Sequence, residues 1–418
     1  MGRKSVLVAC SALVGLAMSM TATAATDDTT SIIAALKAQI EALAARVETL
    51  EATEETSKHT SIKSAKSIRS TAVVAAPVTQ PTPIVQPSTS SWTDDISLKG
   101  DFRYRHEAFD VDNRRDRHRQ RVRARTQVTG RVNDTTSVGF GLASGGSNPI
   151  SSNQTLDDAG STKDIGIDLA YVKWQPTDST TILAGKIKNP IHRVGGNSLL
   201  WDGDLNPEGV GVQYQSGSFF ANGIASWLDE SGSDDDSYLV GGQVGLNSDA
   251  GPGVLKVGIG YFNFLDTRGE TPFFNGSPSG NRIDANGQYM SGFEILEGFA
   301  EFGFDAGDGE LSIFADFVQN LDASAYDMGY ALGGTYRINK WRFGYTYQEL
   351  EADAVLATLT DSDFIGGGTD GEGHILRSSY ALSQNVNLSG TLFLNDRNID
   401  FGNEEQYKRL MLDISFKY

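Results

Sequence analysis

Cysteine is all but absent from this chain. The single one, Cys10, sits in an N-terminal leader, so the mature protein has none. Disulfide cross-links and thiolate metal sites are therefore excluded. Long apolar runs are missing too. After residue 25 no stretch reaches the roughly 18 apolar residues of a transmembrane helix. Positive charge is in deficit: 35 Lys and Arg stand against 53 Asp and Glu, a net −18. Losing Arg3 and Lys4 with the leader removes two cations and takes this to −20. Such acidity disfavours nucleic acid as a partner. Histidine is scarce as well. His59, His106, His118, His192 and His374 lie in no nucleophile-elbow motif, so neither an enzyme site nor a cofactor is read from the chain. His106 and His118 are assigned to the arginine-rich neighbourhood around them.

What is present divides into four segments. Residues 1–25 form a secretory signal: Arg3 and Lys4 are followed by an apolar stretch over 5–20 and by Ala22-Thr23-Ala24. Residues 26–52 carry Ile33, Leu36, Ile40, Leu43, Val47 and Leu50, spaced as the a and d positions of a heptad. Three heptads are marginal alone, so this coiled coil needs partner chains. β-Branched a positions with Leu at d favour two strands. Residues 53–91, with Pro77, Pro81, Pro83 and Pro87, read as an extended linker. Residues 92–418 are all strand.

Sixteen alternating segments of about ten residues are expected in that last part, at 95–108, 117–132, 135–145, 165–176, 179–189, 208–216, 218–229, 237–248, 254–266, 294–304, 310–321, 328–339, 341–351, 372–384, 386–396 and 407–418. Apolar residues recur at every second position, as in Leu98, Phe102 and Tyr104 or Trp341, Phe343, Tyr345 and Tyr347. The connections alternate between tight turns and long loops, which is the pattern of a transmembrane β-barrel. With no helix able to span a bilayer, a closed barrel is the remaining way to satisfy every backbone group in lipid. The fold class expected is all-β: a 16-stranded antiparallel transmembrane barrel behind a periplasmic coiled coil. Leu410, Leu412, Ile414, Phe416 and Tyr418 alternate up to a terminal aromatic residue, a signal of the kind the barrel-assembly machinery reads.

The strongest local constellation is basic. Arg117, Arg119, Arg121, Arg123 and Arg125 occupy odd positions of one strand, while Val122, Ala124 and Val128 occupy even ones. Period two puts all five guanidinia on one face. An arginine at mid-bilayer costs about 2–4 kcal/mol, so that face lines the lumen. Arg103 and Arg105 join it from the first strand. By the same logic Lys186 and Lys188 come from the fifth, with Leu183 and Ile187 turned outward. Like charges at close quarters need acids opposite them. The loop at 190–207 holds Leu199, Leu200 and Trp201, odd for a solvated loop, and is expected to fold inward so that Asp202, Asp204 and Glu208 face the arginines across a constriction. The run Ser231-Gly232-Ser233-Asp234-Asp235-Asp236 lacks the spacing of an EF-hand loop and reads as a solvated acidic loop rather than a metal site.

Three stretches resemble the putative-porin family of proteobacteria: Ala170-Tyr171-Val172-Lys173-Trp174-Gln175-Pro176, Gly185-Lys186-Ile187-Lys188-Asn189-Pro190, and Leu200-Trp201-Asp202-Gly203-Asp204-Leu205-Asn206-Pro207-Glu208-Gly209. The resemblance implies a 16-strand barrel preceded by a signal and a short coiled coil. It implies no catalytic residues and no solute. The reading that results is an outer-membrane porin for passive diffusion, set in lipid and lipopolysaccharide as a homotrimer, with the coiled coil in the periplasm. The two-stranded preference of the heptads and the three copies expected of a porin stay in conflict. A second reading makes the barrel an anchor and residues 26–91 a tether toward peptidoglycan.

Overall fold

The structure is a computed structural model that describes residues 95–230 and 236–418. The expected signal, coiled coil and linker, and residues 231–235 of the acidic run, lie outside the described residues. Sixteen barrel strands follow in chain order. They are β1 (Ile96–Val111), β2 (Arg117–Arg131), β3 (Thr136–Ser144), β4 (Ile165–Thr177), β5 (Thr180–Lys186), β6 (Glu208–Ser216), β7 (Phe219–Asp229) and β8 (Ser237–Ala250). Then come β9 (Gly253–Leu265), β10 (Phe293–Ala306), β11 (Gly309–Asn320), β12 (Met328–Ile338), β13 (Trp341–Leu350), β14 (Gly371–Ala381), β15 (Val386–Arg397) and β16 (Glu405–Lys417). The bounds read from alternation agree with these to within three residues.

Each strand pairs antiparallel with its neighbours in sequence. The ring closes where β1 meets β16, from Asp101 opposite Lys417 to Val111 opposite Tyr407. Closure leaves no unpaired edge, which is the condition for a sheet to sit in lipid. One end of the barrel carries tight turns. Gly217, Gly251, Gly307 and Asn339 sit there at φ between 52° and 62°. Two-residue hairpins of this kind demand that left-handed conformation, and Gly and Asn adopt it most readily. The long connections are at the other end. Within the first of the very long ones, Gln154 and Thr155 pair with Val122 and Arg121 and prolong the sheet above the short β3.

The two faces of the wall differ as the alternation demands. Leu98, Phe102, Tyr104, Val138, Phe140, Trp341, Phe343 and Tyr345 are exposed on the outside, part of an apolar belt that suits lipid and not water. Inside, the lumen is lopsided. The inner face of β7 to β13 is apolar, through residues such as Phe220, Phe262, Ile295, Phe299, Phe314, Val318 and Leu350. Two long loops fold in and cover it, bringing Leu199, Leu200, Trp201 and Leu205 from 187–207 and Ala354, Val355 and Leu356 from 351–370 into the same core. Each such side chain gains about 1.5–3 kcal/mol by leaving water. This core presses the loops against one side, and the opposite side of the lumen, built by β1, β2 and β16, stays charged.

Candidate functional site

The charged side follows from register. Directly opposite residues of antiparallel strands share a face. Asp101, Arg103, Arg105 and Glu107 of β1 stand opposite Arg125, Arg123, Arg121 and Arg119 of β2. On the other side Arg105 stands opposite Asp413 and Phe109 opposite Arg409. Since Phe102 and Tyr104 face outward, all of these odd-numbered residues face in. Seven guanidinia thus share one wall: Arg103, Arg105, Arg119, Arg121, Arg123, Arg125 and Arg409.

The wall is held by acids of its own. Arg105 grips Asp413 with two hydrogen bonds of 2.7 and 2.9 Å. Asp101 accepts from Arg123 at 2.9 Å and from Arg125 at 2.8 Å. Glu107 is wholly buried and pairs with Arg119 and Arg409, with Arg105 at 3.8 Å and Arg121 at 3.9 Å beyond them. Arg119 and Arg409 also lie over the Phe109 ring, 5.0 and 5.1 Å from its centre.

Two further acids come from across the lumen, one on each inward loop, and the loops present them in the same way. In Asp202-Gly203-Asp204 the Asp202 carboxylate accepts the Asp204 backbone N–H at 2.7 Å. In Asp361-Ser362-Asp363 the Asp361 carboxylate accepts the Asp363 backbone N–H at 2.7 Å. Each turn aims its second carboxylate at the wall. Asp204 meets Arg125 at 2.9 Å and Arg123 at 3.3 Å. Asp363 meets Arg409 at 2.9 Å and Arg105 at 3.2 Å. The first aspartates tie the loops together instead: Asp202 accepts the Ser362 N–H at 2.9 Å.

Their electrostatics divide the labour. Burial first, and the neighbouring Asp361 second, push the Asp202 carboxyl up from the ordinary range. Asp361 is pushed up by burial and by Asp363. Burial also opposes the charge on Asp363, but Arg409, Arg105 and Arg103 overcome it and hold that carboxyl well below the usual range. The arginines thus favour the charged form of Asp363, while burial raises both rear carboxyls, Asp202 and Asp361, at the joint between loops.

The other long loops lend support. Asn281, from 266–292, donates to the Ala352 and Val355 carbonyls at 2.7 and 2.9 Å, and Arg282 pairs with Asp353 at 2.7 Å. Asn197 donates to Asp316 of β11 at 2.8 Å, fixing 187–207 to the wall. From 145–164, Asn153 Oδ1 accepts from Arg103 at 2.6 Å.

Of the residues expected from sequence, the structure brings together Arg103, Arg105, Arg119, Arg121, Arg123, Arg125 and Asp204. It places three elsewhere. Lys186 and Glu208 pair with each other at 2.8 Å on the outer face, where Glu208 stands opposite the exposed Trp227. The parity of β5 is opposite to that expected, with Leu183 and Ile187 buried, whereas Lys188, past the end of the strand, lies beside Asp101, Arg125 and Asp168 as expected. The reason is that β5 stops at Lys186 and the chain turns inward, so its apolar side meets the folded loops and not lipid. Asp202 is inward but turned to the second loop. His106 and His118 also leave the arginines: on even positions, they stack on the outer wall at 5.7 Å. Sequence reasoning missed Asp101, Glu107, Arg409, Asp413 and Asp363. Parity alone marks Arg409 and Asp413, since Leu410 and Leu412 face out. For Asp363, the signal was a second Asp-x-Asp after the apolar run Ala354-Val355-Leu356-Ala357.

Residues 109–290 and 299–418 match the family described as "Putative porin". No curated protein matches the chain. Among solved structures, OprB of Pseudomonas putida at high pH is similar at 11% identity and a TM-score of 0.55, covering 78% of this chain and 95% of that one. The OmpF complex with daunomycin from Salmonella typhi is similar at 11% identity and a TM-score of 0.50, covering 78% of this chain and 99% of that one. At such identities the likeness is one of fold.

Proposed function

The chain belongs to the putative porin family, and from that footing we propose that it is an outer-membrane channel through which small hydrophilic solutes and ions diffuse passively. The observation that carries the reading is the pair of contacts across the lumen, Asp204 to Arg123 and Arg125, and Asp363 to Arg105 and Arg409. Two inward loops tipped with carboxylates, set against a ladder of arginines, make a constriction with a transverse field. Water and polar solutes align in such a field, and apolar solutes, which cannot, are held back.

The balance of charge gives the channel a lean toward anions. Seven guanidinia and Lys188 face six carboxylates, Asp101, Glu107, Asp168, Asp204, Asp363 and Asp413, and fixed positive charge lowers the barrier for anions. Reversal potentials across a planar bilayer under a salt gradient test this. The wild-type protein should prefer chloride over potassium, and the Asp204→Asn/Asp363→Asn double variant should prefer it more. A cation preference that persists in the double variant, or the absence of any conductance, would overturn the reading.

A further inference from the structure

Arg103 is the odd member of the basic wall. The other six guanidinia each have a carboxylate oxygen within 4.0 Å, but Arg103 has none among the described residues. Its hydrogen bond goes to a neutral acceptor, the Asn153 side-chain oxygen, and its buried Nε–H has no acceptor among the described residues. Arg121 is nearly as poor. Its one carboxylate neighbour, Glu107, is 3.9 Å away and is shared with Arg105, Arg119 and Arg409. The Nε–H of Arg121 is likewise buried without an acceptor, and its Nη2 reaches only the Asn153 backbone oxygen at 3.3 Å.

The two are neighbours by register. Arg103 stands opposite Arg123 and Arg105 opposite Arg121, so Arg103 and Arg121 are diagonal partners on the inner face. Diagonal positions are roughly 7–8 Å apart at the backbone, within reach for side chains of this length. Both converge on Asn153, and both keep part of their surface open. The other acids whose charge reaches the pair are committed elsewhere: Asp204 to Arg123 and Arg125, Asp413 to Arg105, and Asp363 to Arg105 and Arg409. Two adjacent like charges with unsatisfied donors, in a wall of low dielectric, are unfavourable unless an anion joins them.

We propose that Arg103 and Arg121 form a binding step for small oxyanions of more than one charge, such as phosphate or a dicarboxylate. The guanidinium fork supplies parallel N–H donors that match paired oxygens, which a spherical halide cannot use in the same way. The proposal rests on the channel reading and names its solute class: oxyanions pause at this pair and so are enriched in the constriction over chloride.

The test uses the purified mature protein in planar bilayers carrying a chloride current at neutral pH, with inorganic phosphate and, separately, succinate as probes. At least one probe should reduce the chloride current in a saturating manner. Arg103→Gln and Arg121→Gln each remove a hydrogen-bonded charge contact, so each should raise the half-blocking concentration about tenfold or more. Arg103→Lys, which keeps the charge without the fork, should fall between. Arg337→Gln, at an exposed pair far from this wall, should change nothing. Chloride current with no block by either probe, or block that survives both Gln variants, would overturn the proposal while leaving the channel intact. If there is no current, the channel reading fails on its own. Calorimetric titration of phosphate and succinate into the detergent-solubilised protein then decides the binding step: uptake lost in Arg103→Gln and weakened in Arg103→Lys supports it, and uptake that is absent in the wild type or unchanged in both variants refutes it.

Discussion

Asp370 shows how a single carboxyl can make this barrel sensitive to pH. It closes the loop at 351–370, just ahead of β14, and is almost fully buried. One oxygen accepts the Asp400 N–H at 2.8 Å, while Oδ2 has no partner. Burial first, and the nearby Asp400 second, push this carboxyl up to about 6. A carboxyl raised in the folded state binds its proton more tightly there than in the unfolded chain. Its contribution to stability is therefore whole below about pH 4, the ordinary range, and is lost as pH rises through about 6. The thermal midpoint of the barrel in detergent should fall between pH 4 and pH 7 by this route. Asp370→Asn keeps the acceptor and removes the charge, so it should flatten that part of the profile. An unchanged slope in the variant would refute the assignment. Nothing in the sequence marks Asp370, because its burial depends on loops that meet only in three dimensions. The arginine ladder is the contrasting case. Its facing was legible from Val122, Ala124 and Val128 alone, since parity within one strand is a local property.

At the level of elements, the strands were readable and the loops were not. A strand advertises itself by period two, and a hairpin turn by Gly or Asn at a left-handed position, both written within a dozen residues. A loop that folds into a lumen advertises itself by apolar residues where solvent would penalise them. Leu199, Leu200 and Trp201 gave that signal and their loop was recognised. The loop at 351–370 gave a weaker one through small residues and was missed. The same inward fold reversed the parity of β5, because the side of the strand that meets apolar surface was decided by the loops. Trp201 tests this account of what holds the elements. It is nearly inaccessible and packs edge-on against Phe262 at 5.1 Å, between ring centres. Trp201→Ala should leave a cavity costing about 3–5 kcal/mol, charged to the loop and not to the strand ladder. The loop at 187–207 should become open to protease from the outside and the conductance noisier, with the thermal midpoint of the sheet little changed. Equal loss of sheet stability without added cleavage would show that the loop is integral to the barrel.

At the level of the whole molecule, the outside is apolar but not uniformly so, and one of its polar patches lies where the ring closes. On the outer wall of β1 and β2, Tyr104 donates to Gln120 at 2.8 Å, Gln120 meets His106 at 2.5 Å, and His106 stacks on His118. Polar groups that pair among themselves in a lipid-facing belt still carry a desolvation cost, and natural belts avoid them. A protein surface laid over the patch would remove that cost by sharing the hydrogen bonds. Closed symmetric assembly is the usual way a barrel finds such a surface in its own kind. The expectation is a homotrimer with this part of the wall inside the joint. Native mass spectrometry of the detergent-solubilised mature protein should give three copies per particle. Gln120→Arg places a charge in the joint and should yield single barrels that still conduct, because the arginine wall and both inward loops belong to one chain. Single copies for the wild type, or trimers undisturbed by Gln120→Arg, would mean that the patch faces lipid headgroups instead.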